Sequence, residues 1–300
     1  MDSFVTLICN PAKPVLDETQ VAQVVDLLRA EVAGTEARVL APGVAADIAL
    51  ASSVSDPKAL AERVSSTLAS APIDVIVQPA SNRKKRLLIA DMDSTIIQQE
   101  CIDELAEFAG KRAEISAITE RAMRGELDFE GALKERVGML KGLPESVLSE
   151  TFETRIKLTP GARTLVQTMK KFGAYTALVS GGFTYFTNRV AAAAGFDFND
   201  ANTLLVHEGA LTGEVGMPIR GRAAKEAALL RMSEEQRIPL EETLAIGDGA
   251  NDLSMLGRAG LGVAFHAKPA VAAAAHARIN HSDLTALLYL QGIPQSEFVQ

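Results

Sequence analysis

Apolar positions along the chain follow two patterns, and the texture changes near residue 85. Before that point, short β-rich runs alternate with stretches of helical spacing. Residues 4–9 form an apolar run that stops at Asn10-Pro11. Between 19 and 32, Val21, Val24, Val25, Leu27 and Leu28 recur at helical spacing, which puts an apolar stripe on one helix face. Two short strands are predicted at 37–40 and 46–50, around Pro42-Gly43. A second helix is predicted from Asp56, an N-cap with Pro57 as the first helical residue, to Ala69. A strand over 73–77 completes the order βαββαβ, which is the ferredoxin-like pattern. The charged run Ser81-Asn82-Arg83-Lys84-Lys85-Arg86 comes next and reads as a solvated linker. It divides a unit of residues 1–80 from a larger one of residues 85–300.

Beyond it, Leu87-Leu88-Ile89-Ala90 is a continuous apolar run, as expected of a strand buried on both faces of a parallel sheet. Residues 175–179 and 243–246 repeat that texture. Each run ends in a polar or glycine-rich turn followed by a helix-compatible stretch. The fold class is therefore α/β, a doubly wound Rossmann-like parallel sheet whose ligands sit at the C-terminal strand edge. The roughly 85 residues between the first two runs exceed one crossover. Helical patterns at 102–109, 112–124, 129–140 and 144–151 predict a cap inserted at about 100–157. Residues 203–207 and 210–215, with Gly209 and Gly213, predict a hairpin.

Composition narrows the partners. With 47% hydrophobic and 23% charged residues, the 300-residue chain can bury a sizeable core. A formal charge of −8 argues against a general nucleic-acid or anionic-membrane surface. Cys9 and Cys101 do not make a disulfide framework or a zinc site, and His207, His266, His276 and His281 lack an HExxH arrangement. The start Met1-Asp2-Ser3-Phe4 has no signal-peptide character, and no apolar stretch approaches the roughly 20 residues of a membrane span. A soluble, cytoplasmic protein is expected.

Chemistry concentrates where the three buried strands end. The first ends in Asp91-Met92-Asp93-Ser94-Thr95. Two carboxylates so placed repel each other and resist desolvation unless a cation neutralises them. The oxygen-rich, thiolate-free setting favours Mg²⁺, and aspartate is a covalent nucleophile in phosphoryl transfer. A helix-capping role would explain the pair equally well in isolation. The third strand ends in Gly247-Asp248-Gly249-Ala250-Asn251-Asp252, and Asp248 adds a third acid at the same edge, which capping does not explain. The second ends in Ser180-Gly181-Gly182, whose hydroxyl and unhindered N–H groups can donate to phosphate oxygens. Lys225 starts a helical stretch in a suitable region and can supply the cation that a transferring phosphoryl group needs. Spacing alone leaves that choice open.

These four motifs together resemble the haloacid dehalogenase superfamily over about residues 85–295: DxDxT at 91–95, Ser180, Lys225, then the acidic loop at 247–252. Within it, the run DMDSTIIQQECIDELA from residue 91 and the cap run at 129–143 resemble the phosphoserine phosphatase family. The resemblance implies that Asp91 attacks phosphorus and that Asp93 shuttles the proton. It also implies that Asp91, Asp248 and the Asp93 backbone carbonyl hold Mg²⁺, with Asp252 supporting the metal or Lys225. Ser180, Gly181, Lys225 and Asn251 would hold the phosphate. Glu100 would meet the ammonium and Arg136 the carboxylate of phosphoserine, with Met123 and Phe129 as apolar lining. The implied reaction gives L-serine and phosphate, the last step of serine biosynthesis. Residues 1–80 are similar to ACT-like domains, which implies amino-acid binding or homodimer formation. The alternatives are a related enzyme for another small ester such as phosphohomoserine, and an amino-acid-sensing regulatory protein. A dehalogenase is disfavoured because Asp93 would have no leaving oxygen to protonate.

Overall fold

The change of texture near residue 85 is a change of sheet. The computed structural model describes residues 2–32, 35–68 and 71–300. Before the change come β1 (Ser3–Cys9), α1 (Glu18–Arg29), β2 (Glu36–Ala41), β3 (Ala45–Leu50), α2 (Pro57–Thr67) and β4 (Ile73–Pro79). Their antiparallel sheet has the order β2-β3-β1-β4, as a ferredoxin-like unit requires. Local chemistry sets the helix starts. Asp17 and Gln20 form a capping box on α1, and Asp56 accepts the Ala59 N–H ahead of Pro57 on α2. The predicted end of the second helix at Ala69 lies outside the described residues. Strand alternation divides β1 between two cores. Val5, Leu7 and Cys9 pack with Val24, Leu28 and Val64 under the helices, whereas Ile8 joins the larger core that runs into the second sheet.

That second sheet begins with β5 (Leu87–Ala90), and the inserted cap comes next as α3 (Cys101–Phe108), α4 (Arg112–Met123), α5 (Phe129–Gly138) and α6 (Ser146–Arg155). The chain returns through α7 (Ala162–Lys171), β6 (Tyr175–Phe183), α8 (Thr184–Ala194) and β7 (Phe198–Asn202). A hairpin of β8 (Leu204–His207) and β9 (Ala210–Val215) intervenes. Then come α9 (Arg222–Glu235), β10 (Thr243–Gly247), α10 (Leu253–Arg258), β11 (Leu261–Phe265), α11 (Pro269–Ala274), β12 (Ala277–Ile279) and α12 (Ala286–Tyr289). The six strands are parallel in the order β12-β11-β10-β5-β6-β7. The chain leaves β5 in one direction and later returns on its other side, so the topological switch point falls at β5. Register finishes the placement: Ala90 lies beside both Ile246 and Leu178, which brings the three predicted motif turns side by side.

The predicted hairpin has a use that its sequence did not suggest. Leu211 accepts the Gly142 N–H at 2.9 Å and donates to Leu143 O at 2.8 Å, and Glu145 N–H reaches Gly209 O at 2.8 Å. The connection between α5 and α6 is thereby bonded to the body of the protein.

Four residues of the run at 81–86 are exposed, as a solvated linker requires, but Arg83 and Lys85 depart from that reading. Arg83 pairs with both oxygens of Asp47 at 2.6 and 2.7 Å, lies 4.2 Å above the Phe4 ring and donates to Leu290 O at 2.8 Å. Lys85 is buried and donates to Glu241 O at 2.6 Å. Asp74 of β4 accepts N–H groups of Asn280 at 2.7 Å and Ser282 at 2.9 Å. The partners lie far away in sequence, so a local charge pattern could not reveal them. Among the described residues, no helix is long and apolar enough to cross a membrane.

Candidate active site

Asp91 succeeds β5 directly and extends its ladder, donating its N–H to Ile246 O at 3.0 Å. One carboxylate oxygen, Oδ1, accepts the Met92 N–H at 2.7 Å and faces Lys225 Nζ at 2.7 Å. Lys225, in the first turns of α9, is buried and holds Asp252 at 2.6 Å on its other side. Asp252 folds back beneath the end of β10, where a Cβ on residue 247 would sit 2.3 Å from its Cγ. Glycine at 247 is what admits it. Asp248 completes the group and accepts the Thr95 hydroxyl at 3.1 Å.

One carboxylate oxygen each from Asp91, Asp248 and Asp252 can lie within 4.8 Å of the others. All three acids are buried, with a single ammonium among them. Burial, then the neighbouring Asp252, hold Asp91 and Asp248 well above the usual carboxylate range, while Lys225 opposes the shift. Burial works against the Lys225 charge, but Asp252 and Asp91 outweigh it and raise its pKa. An all-oxygen donor set with surplus negative charge fits a hard divalent cation.

Asp93 lies in a tight turn that continues through Ser94, a non-glycine residue at φ +52°. The turn points the Asp93 carboxylate at the Cys101 N–H at 2.8 Å and the Ser180 hydroxyl at 3.2 Å. Burial raises the Asp93 pKa, and these hydrogen bonds oppose it. Ser180 in turn accepts the Gly182 N–H at 2.8 Å. A Cβ on Gly182 would fall 2.6 Å from Asp93 Oδ2 and one on Gly181 would fall 2.6 Å from the Phe129 ring, so both glycines are required by close approach.

The cap closes these turns into a small cavity of about 30 Å³. Asp91, Asp93, Ser180, Gly181 and Asn251 line its floor, and Glu100, Met123, Phe129 and Arg136 line its roof and walls. The Asn251 side-chain oxygen is buried with no hydrogen-bond partner. Glu100 accepts the Ser94 hydroxyl at 2.6 Å, and burial, then Asp93 and Asp248, push its pKa well up. The Arg136 guanidinium is 2% exposed; burial works against its charge, with Glu100, Asp103 and Asp93 opposing. Among the described residues, neither Glu100 nor Arg136 has an ion-pair partner.

Every residue singled out from the sequence thus lies at this one site. Several others were missed. Ile102, Leu133 and Phe183 also line the cavity, and Asn202 fixes the Ser180 turn by donating to Gly181 O at 2.8 Å. Ile102 and Leu133 read as ordinary core positions of amphipathic helices. Asn202 carries no local signal, because its partners lie on β6 and before α9. Ser94 and Thr95 belong to the first motif, so their place in it was a signal available for both.

The fold and the acid cluster together define a class. The chain belongs to the haloacid dehalogenase-like hydrolases, whose family model matches residues 88–257. A phosphoserine phosphatase of Streptomyces coelicolor is 44% identical over 256 residues, 85% of this chain and 62% of that one. Among solved structures, a HAD family hydrolase of Salmonella enterica serovar Typhi superposes with a TM-score of 0.82 at 32% identity, covering 96% of this chain and 98% of the other. A phosphoserine phosphatase solved as a phospho-aspartyl intermediate analogue gives 0.66 at 41% identity over 69% of this chain and 98% of that one. The chain spans 52–65% of the length of four of the curated relatives that it matches.

Proposed function

We propose that the protein is a Mg²⁺-dependent phosphatase that hydrolyses O-phospho-L-serine to L-serine and phosphate. One observation carries the reading. A single cavity joins Asp91 to the buried Arg136 guanidinium and the half-buried Glu100 carboxyl group, neither of which has an ion-pair partner among the described residues. An unpaired guanidinium and a carboxyl group that gains its charge when a cation comes beside it are together complementary to a zwitterion. Arg136 suits the carboxylate through its planar fork, and Glu100 suits the ammonium. A phosphate then falls to the third group of polar residues, at the strand ends.

The chemistry is divided among these residues. Asp91 Oδ1 is tied to Met92 and Lys225, which leaves Oδ2 to attack phosphorus. The new Oδ2–P bond forms as the bond from phosphorus to the serine oxygen breaks. Asp93, kept protonated more readily by its burial, gives that oxygen a proton. It then takes a proton from a water that attacks the aspartyl-phosphate, which returns Asp91 and frees phosphate. Lys225, Ser180 and the Gly181 N–H hold phosphoryl oxygens, with Asn251 beside them. Mg²⁺ would be held by the Asp91 and Asp248 carboxylates and the Asp93 backbone carbonyl, and would supply positive charge to the phosphoryl oxygens and the crowded acids. Asp252 orients Lys225. In this reading the enzyme works in the cytoplasm at the end of serine synthesis. Residues 1–80 serve as an ACT-like unit that binds an amino acid or pairs two protomers.

The test is phosphate release from phosphoserine, phosphothreonine, phosphohomoserine and a sugar phosphate, with and without chelator. The expected order puts phosphoserine first in kcat/KM, with activity lost on chelation and restored by Mg²⁺. A sugar phosphate preferred by about tenfold, a difference of about 1.4 kcal/mol, would overturn the substrate assignment.

A further inference from the structure

Arg136 is held by two acceptors, and neither is charged. Its Nε–H donates to Ala132 O at 3.0 Å and its Nη1 donates to Thr119 Oγ1 at 3.0 Å. Among the described residues its Nη2 makes no hydrogen bond, although the side chain lines the cavity. Thr119 is itself 3% exposed, and its hydroxyl lies 2.8 Å from Asp103 Oδ1 and 3.0 Å from Ile115 O. A hydroxyl has one proton, and the carboxylate is the stronger acceptor. Donation to Asp103 also makes the Thr119 oxygen a better acceptor for Arg136. The chain Asp103, Thr119, Arg136 runs through α3, α4 and α5, so it ties the guanidinium to three cap helices at once.

We propose that Thr119 and Asp103 are positioning residues that aim Arg136 at the carboxylate of the substrate. The proposal rests on the phosphoserine reading and deepens it. The interposed hydroxyl is the informative feature. A carboxylate paired directly with Arg136 would fix the fork but neutralise it and compete with the substrate. Thr119 transmits the orientation while leaving the charge free for a ligand. Nothing in the local sequence marks Thr119 for this, since it occupies a buried position on an amphipathic helix.

The experiment compares phosphoserine with O-phosphoethanolamine, which keeps the phosphate and ammonium but lacks the carboxylate. Thr119→Val is close to isosteric and removes only the hydroxyl. It should lower kcat/KM for phosphoserine about tenfold, chiefly through KM, as expected for a lost hydrogen bond to a charged group. O-phosphoethanolamine turnover should keep its wild-type kcat/KM. Thr119→Ser should restore phosphoserine, Asp103→Asn should fall in the same direction, and Thr119→Val should add nothing in an Arg136→Met background. Equal losses on both substrates would reduce Thr119 to a structural residue, and no loss on either would remove its role altogether. A wild-type enzyme that does not distinguish the two esters would instead overturn the reading of Arg136 itself, and the positioning role with it.

Discussion

Asp91 has both of its side-chain contacts on one oxygen, which leaves the other free for the proposed attack on phosphorus. Asp91→Asn keeps the shape and the Met92 contact but removes the proposed nucleophile. It is expected to lower kcat on phosphoserine by about a thousandfold or more. The melting temperature should hold or rise, because a buried acid crowded by Asp252 and Asp93 is relieved. Stopped turnover with a melting temperature well below wild type would mean that the variant had lost its fold rather than its nucleophile. At this scale the sequence was informative where chemistry is local. The acids at 91, 93 and 248 could be read from three strand ends, because strand register aligns the turns at those ends. Lys225 was left open by spacing, since its two partners lie on other segments. The unpaired state of Glu100 and Arg136 was invisible, because pairing is a property of the folded cap.

Among the elements, α5 meets β6 at Gly181 in a close fit. A methyl group on Gly181 would press 2.6 Å from the Phe129 ring, and the same ring stands 3.0 Å from a Cβ position on Gly221. Gly181→Ala is therefore expected to keep the cap from seating, with a loss of about tenfold in kcat/KM for phosphoserine and little change in unfolding midpoint. Phe129→Leu, introduced second, should recover part of that loss, whereas additive losses in steady-state kinetics would show that the two residues do not oppose each other. Element existence was legible in part: the βαββαβ order, the three buried strands, four cap helices and the hairpin were expected from the sequence, whereas β7, β11 and β12 were not read. What periodicity could not give was contact between elements. The hairpin was foreseen as a hairpin, but its hydrogen bonds to Gly142, Leu143 and Glu145 were not.

Across the whole molecule, the two sheets are joined by charged residues, of which Arg83 and Lys85 were assigned to solvent by sequence alone. Lys85 carries a pH consequence. Burial pulls its pKa down to about 8, against Glu242 and Glu241, from 10.5. Between those values the unfolded chain holds a proton that the folded chain has lost, so stability rises with pH across that window. Denaturant midpoints taken between about pH 7.5 and 9.5 should show wild type gaining on Lys85→Met, and a gap that stays flat would contradict the assignment. The cap is joined to the body just as unevenly. Its α5–α6 connection is bonded backbone to backbone to the hairpin, while among the described residues no backbone hydrogen bond ties α4 to the sheet. A lid fixed along one side opens only from the other. In the proposed reaction serine and phosphate would then leave on the α4 side, and changes in the hairpin should alter how quickly products leave rather than how firmly they are held.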